Sequence, residues 1–162
     1  VSSTFKDVVQ RPERLANLHY FMPALVMKLV EVVKGEHTAQ ETVDRLMAFG
    51  REVGKTPVLV RKEEDGFIVN NVLKAIKEEA YRLVSEGVCS IEDLDTAVEL
   101  GLGHPMGPFK IDDMNGLDVR YNVLKRRYEE TGVKSYGYDM IENLYKQGKL
   151  GKKAKHGFYD YE

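Results

Sequence analysis

Short apolar runs separated by turns dominate the first third of the chain, in a pattern typical of β-strands. Residues 17–21 (NLHYF) and 25–32 (LVMKLVEV) are rich in β-branched and aromatic side chains, and Pro23 lies between them. Residues 55–60 (KTPVLV) have the same character. The pattern therefore predicts three short strands before residue 61.

A helix is predicted between the second and third strands. Thr38 and Glu41 have the spacing of a capping box, and apolar positions then recur at helical spacing until Gly54. A strand–helix–strand order is typical of an α/β unit, so we expect residues 26–33 and 57–61 to be parallel neighbours.

Beyond residue 62 the periodicity becomes helical. Residues 67–85 carry apolar side chains at helical spacing over about five turns, with Asp65 as the expected cap. Further helices are predicted over residues 91–101, with Ser90 as the cap, from Lys110 or Gly116 to about Thr131, and over residues 139–147. The predicted fold class is mainly α, with a short α/β part over residues 1–62 and a helical domain over residues 63–162.

The composition excludes several classes of function. The chain is 43% hydrophobic and 31% charged, and its net charge of -2 gives no field that would attract nucleic acid or an anionic membrane. The single cysteine, Cys89, cannot form an internal disulfide and fits a reducing compartment. No apolar run reaches the roughly 18 residues of a membrane span. We therefore expect a cytoplasmic protein.

His19 and Glu31 lie in the most apolar stretch of the chain, where unpaired titratable groups are costly to bury. Two adjacent strands would bring Glu31 to His19, and the carboxylate would then fix the tautomer of the imidazole. A histidine held in this way is suited to act as a general base on a hydroxyl group. The alternative is a core histidine together with a surface glutamate.

Asn70 and Asn71 lie in the first turn of the longest predicted helix, although asparagine is a mediocre helix former. An asparagine that faces inward can bind a carbonyl or hydroxyl group of a ligand. The alternative is helix N-terminal chemistry with one solvent-facing amide.

Three other patterns carry less chemistry. In residues 100–109 (LGLGHPMGPF) a helix precedes the glycines, and Pro105 and Pro108 remove N–H donors, so we interpret the stretch as a rigid connector and not a dinucleotide fingerprint. Residues 150–161 (LGKKAKHGFYDY) are either a phosphate-binding patch or solvated lysines followed by aromatics that dock on the core. Neither paired metal-ligand spacing nor a serine-nucleophile motif is present, so we expect no metal site.

Four stretches, taken in order, resemble motifs of the 3-hydroxyacyl-CoA dehydrogenase family, a group that includes 3-hydroxybutyryl-CoA dehydrogenase. NLHYFMPALVMKLVEV resembles GLHFFNPxxxMKLVEV, and DGFIVNNVL resembles PGFIxNRxL. GLGHPMGPF is similar to GxGxPMGPF, and GKKAKHGFYDY is similar to GKKTGxGFYxY. The resemblance extends from Pro12 to Tyr161 and favours the functional interpretation of His19, Glu31 and Asn70.

The resemblance implies an oxidoreductase of fatty-acid metabolism, which oxidises the 3-hydroxyl of an acyl-CoA to a ketone and passes hydride to NAD. It implies that His19 is the general base, that Glu31 orients it, and that Asn70 contacts the substrate near the reacting carbon. Ser2 or Ser3 would take the place of a substrate-binding serine in an NTSS-like segment. The helical domain would form a homodimer, and an enoyl-CoA hydratase is fused or associated in some relatives.

Two positions depart from the family motifs. Met22 stands where the HFFNP motif has asparagine, which removes a polar group beside cofactor and substrate. Asn71 stands where arginine is common. Either change is expected to retune or weaken the site.

No glycine-rich strand–turn–helix precedes His19. We therefore expect that NAD is bound mainly by a domain absent from this chain, that residues 1–62 are an incomplete tail of a Rossmann domain, and that the chain is the C-terminal portion of a longer enzyme, inactive alone. The alternative function is a stand-alone helical dimerisation module without catalytic activity.

Overall fold

The computed structural model describes residues 1–162. The chain is mainly helical, with six α-helices and one three-stranded sheet, which confirms the predicted predominance of helix. It folds as two compact units, Val1–Val72 and Leu73–Glu162. The division between the units lies inside the helix Val69–Ser85. The predicted domain boundary at residues 62–63 stays a prediction.

The first unit is built on the sheet, whose strands are β1 (Asn17–Tyr20), β2 (Leu29–Val33) and β3 (Thr56–Val60). Strand β1 is antiparallel to β2, and β2 is parallel to β3, so the expected parallel pair is confirmed. Helix α1 (Gln40–Glu52) makes the crossover between β2 and β3. The core of this unit consists of β-branched side chains, namely Val30, Val32, Val33, Val43 and Val60.

The second strand begins later than predicted. Leu25 and Val26 are 98% and 72% exposed and lie in a turn, and the strand starts only at Leu29. The carbonyl of Pro23 accepts hydrogen bonds from the N–H groups of both Val26 and Met27, which closes the turn. Apolar composition alone therefore placed the start of this strand too early.

The predicted capping box is wrong. Helix α1 begins at Gln40 without a side-chain cap, and the side chain of Glu41 is exposed. The hydroxyl of Thr38 donates instead to the carbonyl of Leu15 at 2.6 Å and accepts the N–H of Gly35 at 3.1 Å. Thr38 is buried, and it joins the start of β1 to the turn that follows β2.

Five helices follow. They are α2 (Val69–Ser85), which begins in the first unit and continues into the second, α3 (Ile91–Leu102), α4 (Pro108–Asn115), α5 (Leu117–Thr131) and α6 (Tyr138–Lys146). The core of the second unit includes Tyr81, Phe109, Leu124 and Ile141, and the rings of Tyr81 and Phe109 meet edge to face at 4.7 Å. No helix of the chain combines the length and the apolar character that crossing a membrane requires.

The predicted connector is shorter than expected, because α3 runs to Leu102 and α4 begins at Pro108. The single helix expected after it is two helices, which break at Gly116, where φ is +97°. The start of α4 is capped from a distance: the buried carboxylate of Asp95 accepts the N–H groups of Phe109 and Lys110, each at 3.0 Å. The predicted cap at Ser90 is confirmed, since its hydroxyl accepts the N–H of Asp93.

The lysine-rich tail docks on the second unit through its aromatic residues. The buried carboxylate of Asp113 accepts the N–H groups of Phe158 and Tyr159 and the hydroxyl of Tyr161, each at 2.9 Å. A side chain at Gly157 would place its Cβ 2.1 Å from an oxygen of Asp113, so only glycine fits there. The structure supports the docking interpretation of this tail.

Candidate active site

The register of β1 and β2 brings His19 and Glu31 together. The two residues are direct partners across the antiparallel pair, and His19 Nδ1 lies 2.8 Å from Glu31 Oε2. Directly opposed side chains on one face of such a pair lie about 5 Å apart at Cβ, within reach of a hydrogen bond. The predicted contact between these two side chains is therefore present.

Glu31 is fully buried, and both of its oxygens are occupied. Oε2 faces His19, and Oε1 accepts the N–H groups of Ile68 and Val69 at 3.1 and 3.0 Å. These amides belong to the start of α2, where unpaired N–H groups and the helix dipole favour a negative charge. The expected cap at Asp65 is thus replaced by a carboxylate from a strand 37 residues earlier.

His19 keeps one ring nitrogen available for chemistry. A carboxylate accepts only, so its hydrogen bond places the imidazole proton on Nδ1 and leaves a lone pair on Nε2. The side chain is 29% exposed, in contrast to the fully buried Glu31. The rings of Phe21 and Phe67 lie against the imidazole, with centroids at 4.8 and 5.2 Å.

The two asparagines differ in their surroundings. Asn70 lies beside Val69 at the start of α2, and its side chain is exposed. The Nδ2 of Asn71 donates to the carbonyls of Asp65 and Phe67 at 2.8 and 2.6 Å. Asn71, which departs from the family motif, therefore closes the turn that precedes the helix, while Asn70 is the exposed member of the pair.

The serines meet a glutamate that sequence reasoning missed. Ser2 is buried, and its hydroxyl donates to Glu63 at 2.7 Å, while the Ser3 N–H donates to the same carboxylate at 3.1 Å. Glu63 also faces Asn17 Nδ2 at 3.4 Å, two residues before His19 on β1. Burial raises the pKa of Glu63, but the hydrogen bonds from Ser3 and Ser2 outweigh it and lower the pKa to about 2.

Glu63 carried no recognisable signal in the sequence, because it stands in the charged run Lys62–Asp65, and such runs are usually solvated. Ser3 and Glu63 line a cavity of about 270 Å³ together with His37 and Lys62.

Met22 is 83% exposed in the turn after β1, so the departure from asparagine places an apolar side chain in solvent.

The turn between β2 and α1 does not fit the phosphates of a dinucleotide. A Cβ at Gly35 would lie 2.4 Å from the ring of His37, so the side chain of His37 packs directly against the glycine where a phosphate would have to approach the backbone. The start of α1 is covered by the carbonyl of Glu13, which accepts the Ala39 N–H at 2.9 Å and the Thr42 hydroxyl at 2.8 Å. We assign no phosphate-binding role to this turn.

Two domain families match the chain. The model described as "3-hydroxyacyl-CoA dehydrogenase, NAD binding domain" matches residues 1–64, and "3-hydroxyacyl-CoA dehydrogenase, C-terminal domain" matches residues 66–161. The expectation that the NAD-binding domain is absent from the chain is therefore wrong. The chain therefore matches both domain families, and its place as the C-terminal portion of a longer enzyme stays a prediction.

Curated relatives agree with this assignment. The chain is 38% identical over 153 residues to 3-hydroxybutyryl-CoA dehydrogenase of Clostridioides difficile, covering 94% of this chain and 54% of the relative. It is 44% identical over 158 residues to the mitochondrial hydroxyacyl-coenzyme A dehydrogenase of Mus musculus, covering 96% of this chain and 50% of the relative. The chain spans about half the length of these relatives.

Solved structures have the same fold. The (S)-3-hydroxybutyryl-CoA dehydrogenase of Ralstonia eutropha superposes with a TM-score of 0.84 at 33% identity, covering 99% of this chain and 57% of that one. The 3-hydroxybutyryl-CoA dehydrogenase of Escherichia coli gives 0.85 at 38% identity, covering 99% of this chain and 34% of that one. Since two domain models of one family together match nearly every residue, the chain belongs to the 3-hydroxyacyl-CoA dehydrogenase family.

Proposed function

We propose that the protein carrying this chain is an NAD-dependent dehydrogenase that oxidises the 3-hydroxyl of an acyl-CoA to a ketone in fatty-acid metabolism. The observation that carries the proposal is the hydrogen bond of 2.8 Å between His19 Nδ1 and the buried carboxylate of Glu31. The names of the relatives, which include 3-hydroxybutyryl-CoA dehydrogenases, support the substrate class.

In this proposal His19 removes the proton of the 3-hydroxyl through Nε2. The imidazolium that forms is stabilised by Glu31, which accepts a hydrogen bond from Nδ1–H and is itself held by two backbone amides. Because these donors are already in place before the substrate arrives, little reorganisation accompanies the proton transfer.

Substrate contacts are assigned to Asn70 and to the serine turn. The amide of Asn70 is exposed beside the helix start that binds Glu31, where it can donate to the oxygen of the 3-hydroxyl or of the thioester. Ser3 is exposed, whereas the hydroxyl of the buried Ser2 is engaged by Glu63, so Ser3 is the better candidate of the two for a direct contact.

NAD is the proposed acceptor of the hydride, in keeping with the match of residues 1–64 to the family's NAD-binding domain. Because the turn between β2 and α1 does not fit the phosphates, we derive no step through the dinucleotide and limit the mechanism to the proton.

The test is the His19→Gln variant in the full-length protein, assayed by oxidation of NADH with acetoacetyl-CoA. Loss of a general base is expected to lower the rate about 10²- to 10⁴-fold. His156→Gln is the matched control, because His156 is exposed and pairs with Asp160 in the tail. An unchanged rate in His19→Gln refutes the proposed base. The inactivity of residues 1–162 alone stays a prediction, which the same assay on that chain tests.

We also propose a homodimer formed through α2 and α3. A groove of about 710 Å³ between these helices is lined mainly by apolar side chains: Ala75, Ile76, Ala80, Leu83, Leu94 and Val98. Ala80 and Leu94 form the buried floor of the groove, and Leu102 at its edge is 66% exposed. An open groove with a mainly apolar lining marks an interaction site. The opposite face of α2 is already buried in the core through Lys77 and Tyr81, so the groove is the face left for a second copy.

The groove also favours the alternative function, a helical interaction module that dimerises without catalysis. Sedimentation tests the dimer. Leu102→Asp, at a groove position that is 66% exposed, should dissociate it, and Val123→Asp, at a position 55% exposed on α5, should not. A chain that is monomeric across a wide concentration range argues against the dimer. A full-length protein that forms the dimer but does not oxidise NADH with acetoacetyl-CoA supports the module. An associated enoyl-CoA hydratase stays a prediction.

A further inference from the structure

Phe67 has a backbone conformation that L-residues rarely adopt. Its φ is +50°, and it directly follows Gly66, whose φ is +82°. Glycine enters this left-handed region without cost, but a bulky side chain does not. Residues held in such conformations by their surroundings cluster at functional sites. The position of Phe67, beside the proposed active site, therefore calls for a physical explanation.

The left-handed turn aims two backbone donors at Glu31. Successive left-handed and helical residues direct neighbouring N–H groups to one side and form a concave site for an anion. Here the next two amides, of Ile68 and Val69, both bind Glu31 Oε1. The conformation of Phe67 is thus coupled directly to the position of the buried carboxylate.

The side chain of Phe67 contacts the other member of the pair. Its ring lies 5.2 Å from the imidazole of His19, at an interplanar angle of 59°. Phe21 provides a second ring at 4.8 Å. The imidazole therefore has aromatic neighbours that limit its rotation, while Glu31 fixes its proton.

The side chain of Asn71 stabilises the turn that contains Phe67. Its Nδ2 donates to the carbonyl of Phe67 at 2.6 Å and to that of Asp65 at 2.8 Å. The Phe67 N–H binds the carbonyl of Glu64 at 3.1 Å, so the residue is held on both sides. These bonds offset the strain of the left-handed backbone.

We propose that Phe67 is a positioning residue of the His19–Glu31 pair, aligning the carboxylate through its backbone and the imidazole through its ring. This inference rests on the proposed role of His19 as the base. Phe67 thus positions both the donor, His19, and the acceptor, Glu31, of a hydrogen bond in which it takes no part.

The experiment uses Phe67→Ala, Phe67→Leu and Phe67→Tyr in the full-length protein. The ¹⁵N chemical shifts of the His19 ring report its tautomer without any turnover, and steady-state kinetics with acetoacetyl-CoA report kcat and KM. Phe67→Ala should populate both tautomers of His19 and lower kcat about 10- to 100-fold with little change in KM for NADH. Phe67→Tyr, which keeps a ring, should restore the single tautomer and most of kcat.

Phe49→Ala is the control, since Phe49 is 43% exposed on α1. If Phe67→Ala does not fold, Phe67→Leu takes its place, because it keeps apolar bulk without a flat ring. A folded variant with one His19 tautomer and an unchanged kcat overturns the inference. The tautomer measurement separates this failure from that of the proposed function, which is judged by the rate of His19→Gln alone.

Discussion

Glu31 and Asp112 are both buried carboxylates, one in each compact unit, and their surroundings differ in one decisive respect. Glu31 has one side-chain partner, His19, which is 29% exposed and keeps a free ring nitrogen. Asp112 binds Lys77, faces Arg120 Nε at 3.5 Å and accepts the Tyr81 hydroxyl at 2.8 Å. All of the partners of Asp112 are largely enclosed by protein.

The enclosed cluster around Asp112 is suited to stability and not to proton transfer. Burial lowers the pKa of Lys77, and the charge of Asp112 opposes that change. Burial and the same carboxylate raise the pKa of Tyr81 far above its ordinary value. A buried carboxylate therefore does not by itself identify an active site. The feature that identifies an active site is a titratable partner, such as His19, with a ring nitrogen that has no hydrogen-bond partner and that solvent or substrate can reach.

Glu31→Gln should have the largest effect on the reaction. The amide keeps the size of the side chain, but its NH₂ group must face either the Ile68 and Val69 amides or the Nδ1 proton of His19. When the NH₂ group faces His19, the tautomer that carries its proton on Nε2 is favoured. We therefore expect the rate to fall about 10⁴-fold, which corresponds to a rise of about 5 kcal/mol in the activation free energy. Steady-state NADH oxidation measures the change. A loss of less than tenfold in the folded variant contradicts the proposed role.

Asp112→Asn should have the opposite profile. It leaves the buried Lys77 and Arg120 without a counter-charge, so the free energy of unfolding should fall by about 3–5 kcal/mol. Urea denaturation measures the loss. At low temperature, where the variant is folded, kcat should be unchanged. A large fall in kcat there would break the distinction between the two carboxylates.

Glu63→Gln should show a stability effect that depends on pH. The folded pKa, about 2, is below the ordinary value of 4.5, so the carboxylate stabilises the fold above pH 4.5 and loses this effect as the pH falls towards 2. At pH 7 we expect a loss of about 1–2 kcal/mol, reduced by solvent screening. Urea denaturation of both proteins at pH 7 and pH 3 provides the test, and a difference that widens on acidification would be inconsistent with it.

Ser90→Ala should have the smallest effect and calibrates the others. Ser90 caps α3 through an exposed hydrogen bond of 3.0 Å and involves no buried charge. Its loss should cost about 1 kcal/mol and leave kcat unchanged. The thermal midpoint and the rate of the variant check both expectations. Asp93→Asn is the companion control, because it keeps the N–H that Ser90 accepts and an oxygen in place of the carboxylate to which the Ser90 hydroxyl donates at 2.9 Å.

Much of the site was predictable, because His19 and Glu31 lie in two neighbouring apolar runs of the sequence. The apolar runs predicted β1 and β2, and their proximity predicted that Glu31 meets His19. The caps of α2 and α4 were not predictable, because Glu31 and Asp95 reach them from other elements. A capping rule considers a few neighbouring residues, and it failed at Thr38 and Asp65 for that reason.

The amino-acid sequence by itself determined the kinds of elements, the pairing of β2 with β3 and the chemistry available at His19 and Glu31, since periodicity and side-chain chemistry are local properties. Only the tertiary structure decided the left-handed turn at Phe67, the engagement of the serines by Glu63 and the enclosed cluster at Asp112. These depend on which distant groups meet, because a buried polar atom must find its partner wherever the folded chain provides one.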